Sequence, residues 1–138
     1  MPEVAIVDTS ALLSSIDRDD RFHAASTAVL RRRDLSFVLS SLVVAETAYL
    51  VSERFGSDAE AGFVRRLRSW RIETPTADEW HRVAALIERY RDFPLGATDA
   101  SIIVLAERFH VDLIVTLDRR HFAEVRPNHV NALRLLPD

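Results

Sequence analysis

Short apolar runs alternate with segments of helical periodicity along this chain, and the alternation predicts its architecture. Val4 to Val7, Phe37 to Leu39 and Leu113 to Thr116 are typical of buried strands of a parallel sheet, with briefer strands around Ile72 and over Ala132 to Leu136. Parallel strands separated by helices imply right-handed crossovers. The sequence therefore predicts an α/β fold, with a mainly parallel central sheet and helices on both faces.

The segments between these strands carry helix start signals. Thr9 or Ser10 is expected to cap the first helix, and Ser40 or Ser41 the helix that runs to about Phe55. Gly and Pro residues punctuate the loops that follow. The remaining helices are predicted over residues 22–33, 59–70, 76–90 and 97–109.

Composition narrows the possible chemistry. With 138 residues, 48% of them hydrophobic, the chain fits one domain over 1–138. It has no cysteine, which excludes disulfides and thiolate sites, and no lysine, which excludes Schiff-base chemistry and a P-loop. No apolar stretch approaches the roughly 20 residues that span a bilayer, and no signal peptide is recognisable. We therefore expect a cytoplasmic protein that does not contact membranes.

Charge gives a weaker signal. The formal net charge of -3 does not indicate an indiscriminate nucleic-acid binder. The arginines nevertheless cluster at residues 31–33, 65–71 and 119–120. The first two clusters are interpreted as solvated faces and turns, whereas the third directly follows a candidate site residue.

Four acidic residues lie in apolar segments, where carboxylates are normally disfavoured. They are Asp8, Glu46, Asp99 and Asp118. Two follow predicted strand ends and two lie near helix N-termini, so the topology should bring them to one edge of the sheet. Two carboxylates about 4 Å apart repel by roughly 4 kcal/mol at an effective dielectric of 20. A shared hard cation, Mg²⁺ or Mn²⁺, would relieve that repulsion, and such sites activate water for phosphodiester hydrolysis.

Each acid also has a structural explanation. Asp8 and Asp118 could cap helices, and Glu46 and Asp99 could stabilise helix N-termini through the helix dipole. The five histidines share no helical spacing, so a His-ligated zinc site is not expected.

The segments IVDTSALL, VVAETAYLV, LGATDASIIVLAER and LIVTLDRRHF, in this order, resemble those of PIN-domain ribonucleases, most closely the VapC-type toxins of bacterial toxin–antitoxin pairs. The resemblance spans the chain and implies a single PIN-like three-layer domain. It implies that Asp8, Glu46, Asp99 and Asp118 are the catalytic, metal-binding quartet for Mg²⁺ or Mn²⁺. It also implies that the hydroxyls of Thr9, Ser10 and Thr116 orient the carboxylates or the water.

The same resemblance implies a substrate and partners. Relatives cut structured RNA such as tRNA or the sarcin-ricin loop of rRNA, which inhibits translation, and leave a 5′-phosphate. They are homodimers neutralised by a VapB-type antitoxin, which commonly inserts a basic side chain into the acidic pocket. Arg119, Arg120 and His121 are candidate RNA contacts, although the arginines could instead pair with neighbouring acids.

Two alternatives remain open at this point. A haloacid-dehalogenase-like, Mg²⁺-dependent phosphatase also has an Asp at a strand end, but it needs a second Asp where Ser10 stands, and a lysine. A PIN-like interaction module without activity is the other alternative. The intact quartet argues against that module, because a degenerate copy has little reason to keep four mutually repelling acids.

Overall fold

Five strands and seven helices form the protein, which is described over residues 1–138 by a computed structural model. The strands are β1 (Glu3–Val7), β2 (Leu35–Ser40), β3 (Arg71–Glu73), β4 (Leu113–Val115) and β5 (Arg134–Leu136). The helices are α1 (Thr9–Ile16), α2 (His23–Leu30), α3 (Ser41–Phe55), α4 (Ser57–Arg66), α5 (Glu79–Arg89), α6 (Ala97–Phe109) and α7 (Arg119–Glu124). A turn of 3₁₀ helix, Leu67–Ser69, follows α4.

All five strands are parallel, and their order in the sheet is β3-β2-β1-β4-β5. The register pairs Ile6 with Val38 on one side and with Ile114 on the other. The chain moves outward from β1 in one direction and, after crossing over, from β4 in the opposite direction. If the crossovers have the usual right hand, α1–α4 and α5–α7 lie on opposite faces of the sheet. The parallel sheet with intervening helices confirms the predicted α/β class. The strand order reverses between β1 and β4, where open sheets bind ligands.

The core lies where the central strands meet α6. Ala5, Ile6 and Val7 of β1 are fully buried, as are Ile114 and Val115 of β4. In α6 the whole segment from residue 100 to residue 106 is buried. A helix that is buried all round fixes its neighbours firmly. The first turn of α6, which carries Asp99, is therefore followed directly by a fully buried segment of the same helix.

Several predicted boundaries were wrong. Asp8, rather than Thr9 or Ser10, occupies the N-cap position of α1, although its side chain makes no capping bond. Helices α2 and α4 are shorter than predicted, and α5 begins only at Glu79. Before it, Thr76 and Glu79 exchange the two hydrogen bonds of a capping box. Ser40 caps α3 as predicted, with its hydroxyl accepting from Leu42 N.

Ion pairs tie the far side of the fold together. The Arg108 guanidinium lies 2.5 Å from Glu79 and 3.1 Å from Glu73, which joins α6 to α5 and β3. Arg82 of α5 forms a two-pronged pair with Glu107 of α6. None of the helices is long and apolar enough to cross a membrane.

Candidate active site

A cleft of about 440 Å³ opens at the carboxyl ends of β1 and β4, where the strand order reverses. The four predicted acids all line this cleft. The chain brings them there from separate elements: Asp8 follows β1, Glu46 lies on α3, Asp99 is in the first turn of α6, and Asp118 precedes α7. Other lining residues are Thr9, Ser10, Leu13, Leu50, Gly96, Ala97 and Thr98. No arginine lines the cleft, so its charge is acidic throughout.

Asp8 is the most buried of the acids, with 4% of its surface exposed. Its Oδ2 accepts hydrogen bonds of 2.8 Å from both the Ser10 and the Thr116 hydroxyls. Those hydroxyls in turn accept from the backbone, Ser10 from Leu117 N and Thr116 from Asp118 N. Because the two hydroxyl oxygens accept from these amides, their protons are free to point toward Asp8. The segment that follows β4 thus positions the carboxylate that follows β1.

Two of the three predicted orienting hydroxyls, Ser10 and Thr116, therefore contact Asp8 directly. Thr9 does not: its Oγ1 is buried and has no hydrogen-bond partner. Burial raises the pKa of Asp8 above its ordinary value, against the opposing effect of the two donated hydrogen bonds, and the nearby Asp118 raises it further. Asp8 is therefore a well-oriented carboxylate with excess negative charge around it.

The carboxyl of Asp99 is perturbed in the same direction as that of Asp8. Burial, then the negative charge of Asp8, raise its pKa to about 7, with smaller effects of the same sign from Asp118 and Glu46. His121 acts in the opposite direction. At neutral pH the Asp99 carboxyl of the isolated cleft is therefore partly protonated.

Asp118 is held by the first turn of α7. Its Oδ1 accepts from His121 N at 3.3 Å, so it caps the helix as the structural explanation anticipated. Its Oδ2 also lies 2.5 Å from His121 Nδ1, and an ionised carboxylate can only accept, so Nδ1 donates. The two contacts with His121 therefore cap α7 and also fix the direction in which the Asp118 carboxylate points.

His121 belongs to the acidic cluster, which sequence spacing did not predict. One ligand atom from each of Asp99, Asp118 and His121 lies within 4.8 Å of the other two. The sequence assigned His121 only a possible RNA contact, because the partner Asp99 lies on a distant helix. The sequence could have indicated this contact, because His121 lies three residues after Asp118 and such pairs are neighbours on a helix.

Glu46 differs from the other three acids because it is exposed, whereas the sequence predicted a buried or half-buried position. The residues of this segment divide between two faces of α3. Val43, Thr47 and Val51 are buried, whereas Ala45 and Glu46 are exposed. Glu46 lines the rim of the cleft and contributes the smallest of the effects on Asp99.

The two arginines that follow Asp118 make contacts in different parts of the structure. Arg119 Nη1 donates to Pro137 O at 2.9 Å and so holds the C-terminal segment rather than the cleft. The Arg120 guanidinium lies 5.0 Å from the centre of the Phe93 ring, and the same ring is 4.9 Å from that of His121. Phe93, in the loop between α5 and α6, thus supports both side chains, and no sequence feature marked it.

The donor set suits a hard divalent cation. Asp8, Asp99 and Asp118 offer carboxylate oxygens, and thiolates are absent from the chain. Oxygen donors of this kind are those that Mg²⁺ and Mn²⁺ take. The raised pKa values of Asp8 and Asp99 point the same way, because uncompensated negative charge is what a cation would neutralise.

Comparison with known proteins agrees with this geometry. The family profile of the PIN domain matches residues 5–127. Ribonuclease VapC26 of Mycobacterium tuberculosis is 40% identical over 124 residues, covering 88% of this chain and 92% of that protein.

Solved structures share the fold. The crystal structure of VapC20 from Mycobacterium tuberculosis, a toxin that cleaves the sarcin-ricin loop, matches with a TM-score of 0.81 at 20% identity, over 94% of this chain and 99% of that one. VapBC2 from Rickettsia felis, bound to a promoter DNA fragment, matches with a TM-score of 0.69 at 18% identity, over 97% and 99%. A toxin–antitoxin complex from Klebsiella pneumoniae matches with a TM-score of 0.66 at 20% identity, over 91% and 99%.

Proposed function

Because this chain belongs to the PIN-domain family, and within it to the VapC-type ribonucleases, we propose that it is a metal-dependent endoribonuclease, the toxin of a toxin–antitoxin pair. Its substrate is a structured RNA such as tRNA or rRNA, whose cleavage inhibits translation. The observation that carries the proposal is the convergence of Asp8, Asp99 and Asp118 in one cleft, with Glu46 at its rim. No arginine lines this cleft, and His121, which contacts Asp118, is the one basic side chain beside the acids.

Asp8, Asp99 and Asp118 are the residues that would hold Mg²⁺ or Mn²⁺, with Glu46 reaching in from the rim. A cation there supplies Lewis-acid stabilisation of the phosphate and activation of a water. The protein contributes orientation: the Thr116 and Ser10 hydroxyls fix Asp8, and the His121 ring fixes Asp118. Asp99 must lose its proton to bind a cation, so metal affinity should rise with pH around neutrality.

The proposed partners follow from the solved relatives, several of which are toxin–antitoxin complexes. We propose a VapB-type antitoxin for this chain, together with homodimerisation. A cleft that is acidic and lacks its own arginine would accept a basic side chain from such an antitoxin. That side chain would occupy the place of the cation and so inhibit the enzyme.

The test is cleavage of total cellular RNA by the purified protein with Mg²⁺ or Mn²⁺, followed by mapping of the new 5′ ends. EDTA and the Asp99→Asn variant are the controls, and Asp92→Asn is the matched substitution, because Asp92 is exposed and outside the cleft. Discrete cuts that disappear with EDTA and with Asp99→Asn, but persist with Asp92→Asn, are expected. Cuts that survive Asp99→Asn would contradict the assignment of the site.

A further inference from the structure

A second polar cleft, of about 360 Å³, lies at the opposite end of α1 from the acidic one. The last turn of α1, helix α2 and the end of α4 enclose it. Its chemistry is basic: Arg18, Arg31 and Arg66 line it together with His23 and Thr27. We refer to these five residues as the basic cleft. No acidic residue lines it.

The three arginines of the basic cleft are unpartnered. Arg18, Arg31 and Arg66 form no ion pair and no side-chain hydrogen bond, whereas their neighbour Arg32 pairs with Asp34 at 2.6 Å. A guanidinium carries five N–H donors in a planar fork that matches phosphate oxygens. All three residues are exposed, and their positive charges line one cavity.

The nearby acids are used elsewhere. Asp20 Oδ1 accepts from the Ser14 hydroxyl and from Phe22 N, so it closes the loop between α1 and α2. Asp17 accepts from Asp19 N and approaches Arg54 at 4.0 Å. Neither carboxylate is directed at the basic cleft, which leaves its positive charge uncompensated.

Two further polar atoms of the basic cleft, on Thr27 and His23, have no hydrogen-bond partner in the protein. Thr27 Oγ1 is buried and has no hydrogen-bond partner. His23 Nδ1 lies 2.9 Å from the Ser14 carbonyl, which can only accept, so Nδ1 carries the proton. His23 Nε2 has no partner in the protein and is free to bind a ligand. Four buried hydroxyls of the protein lack a hydrogen-bond partner, and Thr27 is the one that lines this cleft.

Helix dipoles explain part of this arrangement. Arg18 and Arg31 lie just beyond the C-termini of α1 and α2, and Arg66 is the last residue of α4. A cation at a helix C-terminus is favourable by a few tenths of a kcal/mol to about 1 kcal/mol. That effect accounts for each arginine singly, but it requires neither their convergence on one cavity nor an unsatisfied hydroxyl inside it.

We propose that the basic cleft is a phosphate-binding site that anchors the RNA backbone away from the scissile bond. This part rests on the proposed ribonuclease function, which supplies the RNA. Helix α1 connects the two clefts: Thr9 and Ser10 line the acidic one, and Ser15 and Ile16 line the basic one. At 1.5 Å per residue these ends are about 10 Å apart, a distance that a few nucleotides cover.

The experiment measures binding, not cleavage. A short fluorescein-labelled single-stranded RNA is titrated with the full-length protein in EDTA, at several salt concentrations, and followed by anisotropy. Arg31→Gln and Arg66→Gln are the test variants. Each is expected to weaken binding about tenfold, because a hydrogen bond to a charged group is lost. Each should also reduce the slope of log K against log salt by about 0.7.

The chain offers matched controls. Arg33→Gln and Arg65→Gln remove the same charge from adjacent exposed positions that do not line the cleft. Both control variants should bind RNA like the wild type. Equal losses in the test and control variants would overturn the proposal, because they would show a diffuse basic surface instead of a site.

A second arm separates RNA from a free phosphate group. Inorganic phosphate alone is titrated into the wild type and into Arg66→Gln, with amide NMR shifts as the readout. Shifts around Thr27 that require Arg66, together with the RNA result, support the proposal. Phosphate shifts without any change in RNA affinity would overturn the RNA assignment and leave a small phosphorylated ligand. If neither probe responds, the site is wrong, and an acidic protein segment becomes the class of partner to test.

Failure of this inference is distinguishable from failure of the proposed function. If the wild type cuts RNA with metal while Arg66→Gln binds RNA normally, the basic cleft is wrong and the ribonuclease stands. If RNA binds through the basic cleft but no metal supports cleavage, the phosphate site stands and the ribonuclease proposal falls.

Discussion

Replacing Asp99 with Asn should stabilise the metal-free protein at neutral and alkaline pH. Burial and the charge of Asp8 raise the pKa of Asp99 from its ordinary value of 3.8 to about 7 in the folded state. Between those two values the folded state binds more protons than the unfolded state, so the free energy of unfolding decreases as pH rises. Stability linked to Asp99 is therefore complete below about pH 4 and lost above about pH 7. Asn has nearly the same shape and cannot ionise.

The structure sets the size of the effect. Each pKa unit corresponds to about 1.36 kcal/mol, so the interval from 3.8 to about 7 gives a ceiling of about 4 kcal/mol. Asp99 is only partly buried, and solvent screens its interactions with the other carboxylates. We therefore expect Asp99→Asn to raise the free energy of unfolding by about 2 kcal/mol near pH 8, and by much less near pH 5.

Urea unfolding in EDTA at several pH values measures this difference, with Asp92→Asn as the exposed control. Excess Mg²⁺ should reverse the order near pH 8, because only the wild type then gains binding free energy. The reasoning is refuted if Asp99→Asn is less stable than the wild type near pH 8 in EDTA. It is equally refuted if both proteins lose stability with the same slope between about pH 4 and pH 7.

Three further substitutions probe the site and its support. Thr116→Val removes the donor to Asp8 and should cost about 1–3 kcal/mol in urea unfolding and about 10–100-fold in metal-supported cleavage, whereas Thr116→Ser should keep both. Glu46→Gln should leave the urea midpoint within about 0.5 kcal/mol of wild type, because Glu46 is exposed, yet lower the apparent Mg²⁺ affinity in a cleavage titration. Arg108→Gln should lower the free energy of unfolding by about 1–2 kcal/mol in low salt, and by less in high salt, because it breaks the partly buried pair with Glu79.

The sheet and its central helix were predictable because local and global signals agree there. Helix α6 has the predicted bounds, from Ala97 to Phe109. Its start follows Gly96, and its end is set by His110 in the left-handed conformation at φ 53°. The strands were recognisable because burial on both faces leaves continuous apolar runs, as in β1.

The details of the site depended on tertiary contacts that sequence does not contain. The N-cap of α1 was wrong because the Ser10 hydroxyl bonds Asp8 Oδ2 rather than a helix amide. Glu46 looked buried because its sequence neighbours are apolar, but helical geometry turns Val43 and Val51 inward and leaves Glu46 exposed. His121 joined the cluster only because β4 and α6 bring Asp118 and Asp99 together.

Hydroxyl groups, rather than arginines, support Asp8 and the elements beneath the cleft. Ser101 has one proton and donates it to the Thr98 carbonyl at 2.6 Å. The buried contact of 2.7 Å between Ser40 and Ser101 must therefore be donated by Ser40, whose own oxygen accepts from Leu42 N. This chain of bonds joins the start of α3 to the first turn of α6.

An arginine in the same place would hold these elements equally well, but it would also lower the pKa of Asp99 and fill the position of a cation. Hydroxyls orient a carboxylate without neutralising it. Ser10 and Thr116 do this at Asp8, whereas Ser40 and Ser101 act on the backbone, where they tie the start of α3 to the first turn of α6. The fold thereby keeps its acids close together without an arginine between them; if the expected cost of about 2 kcal/mol at Asp99 is found, it is a sizeable part of the 5–15 kcal/mol typical of a domain. A site that selects a cation needs that retained charge.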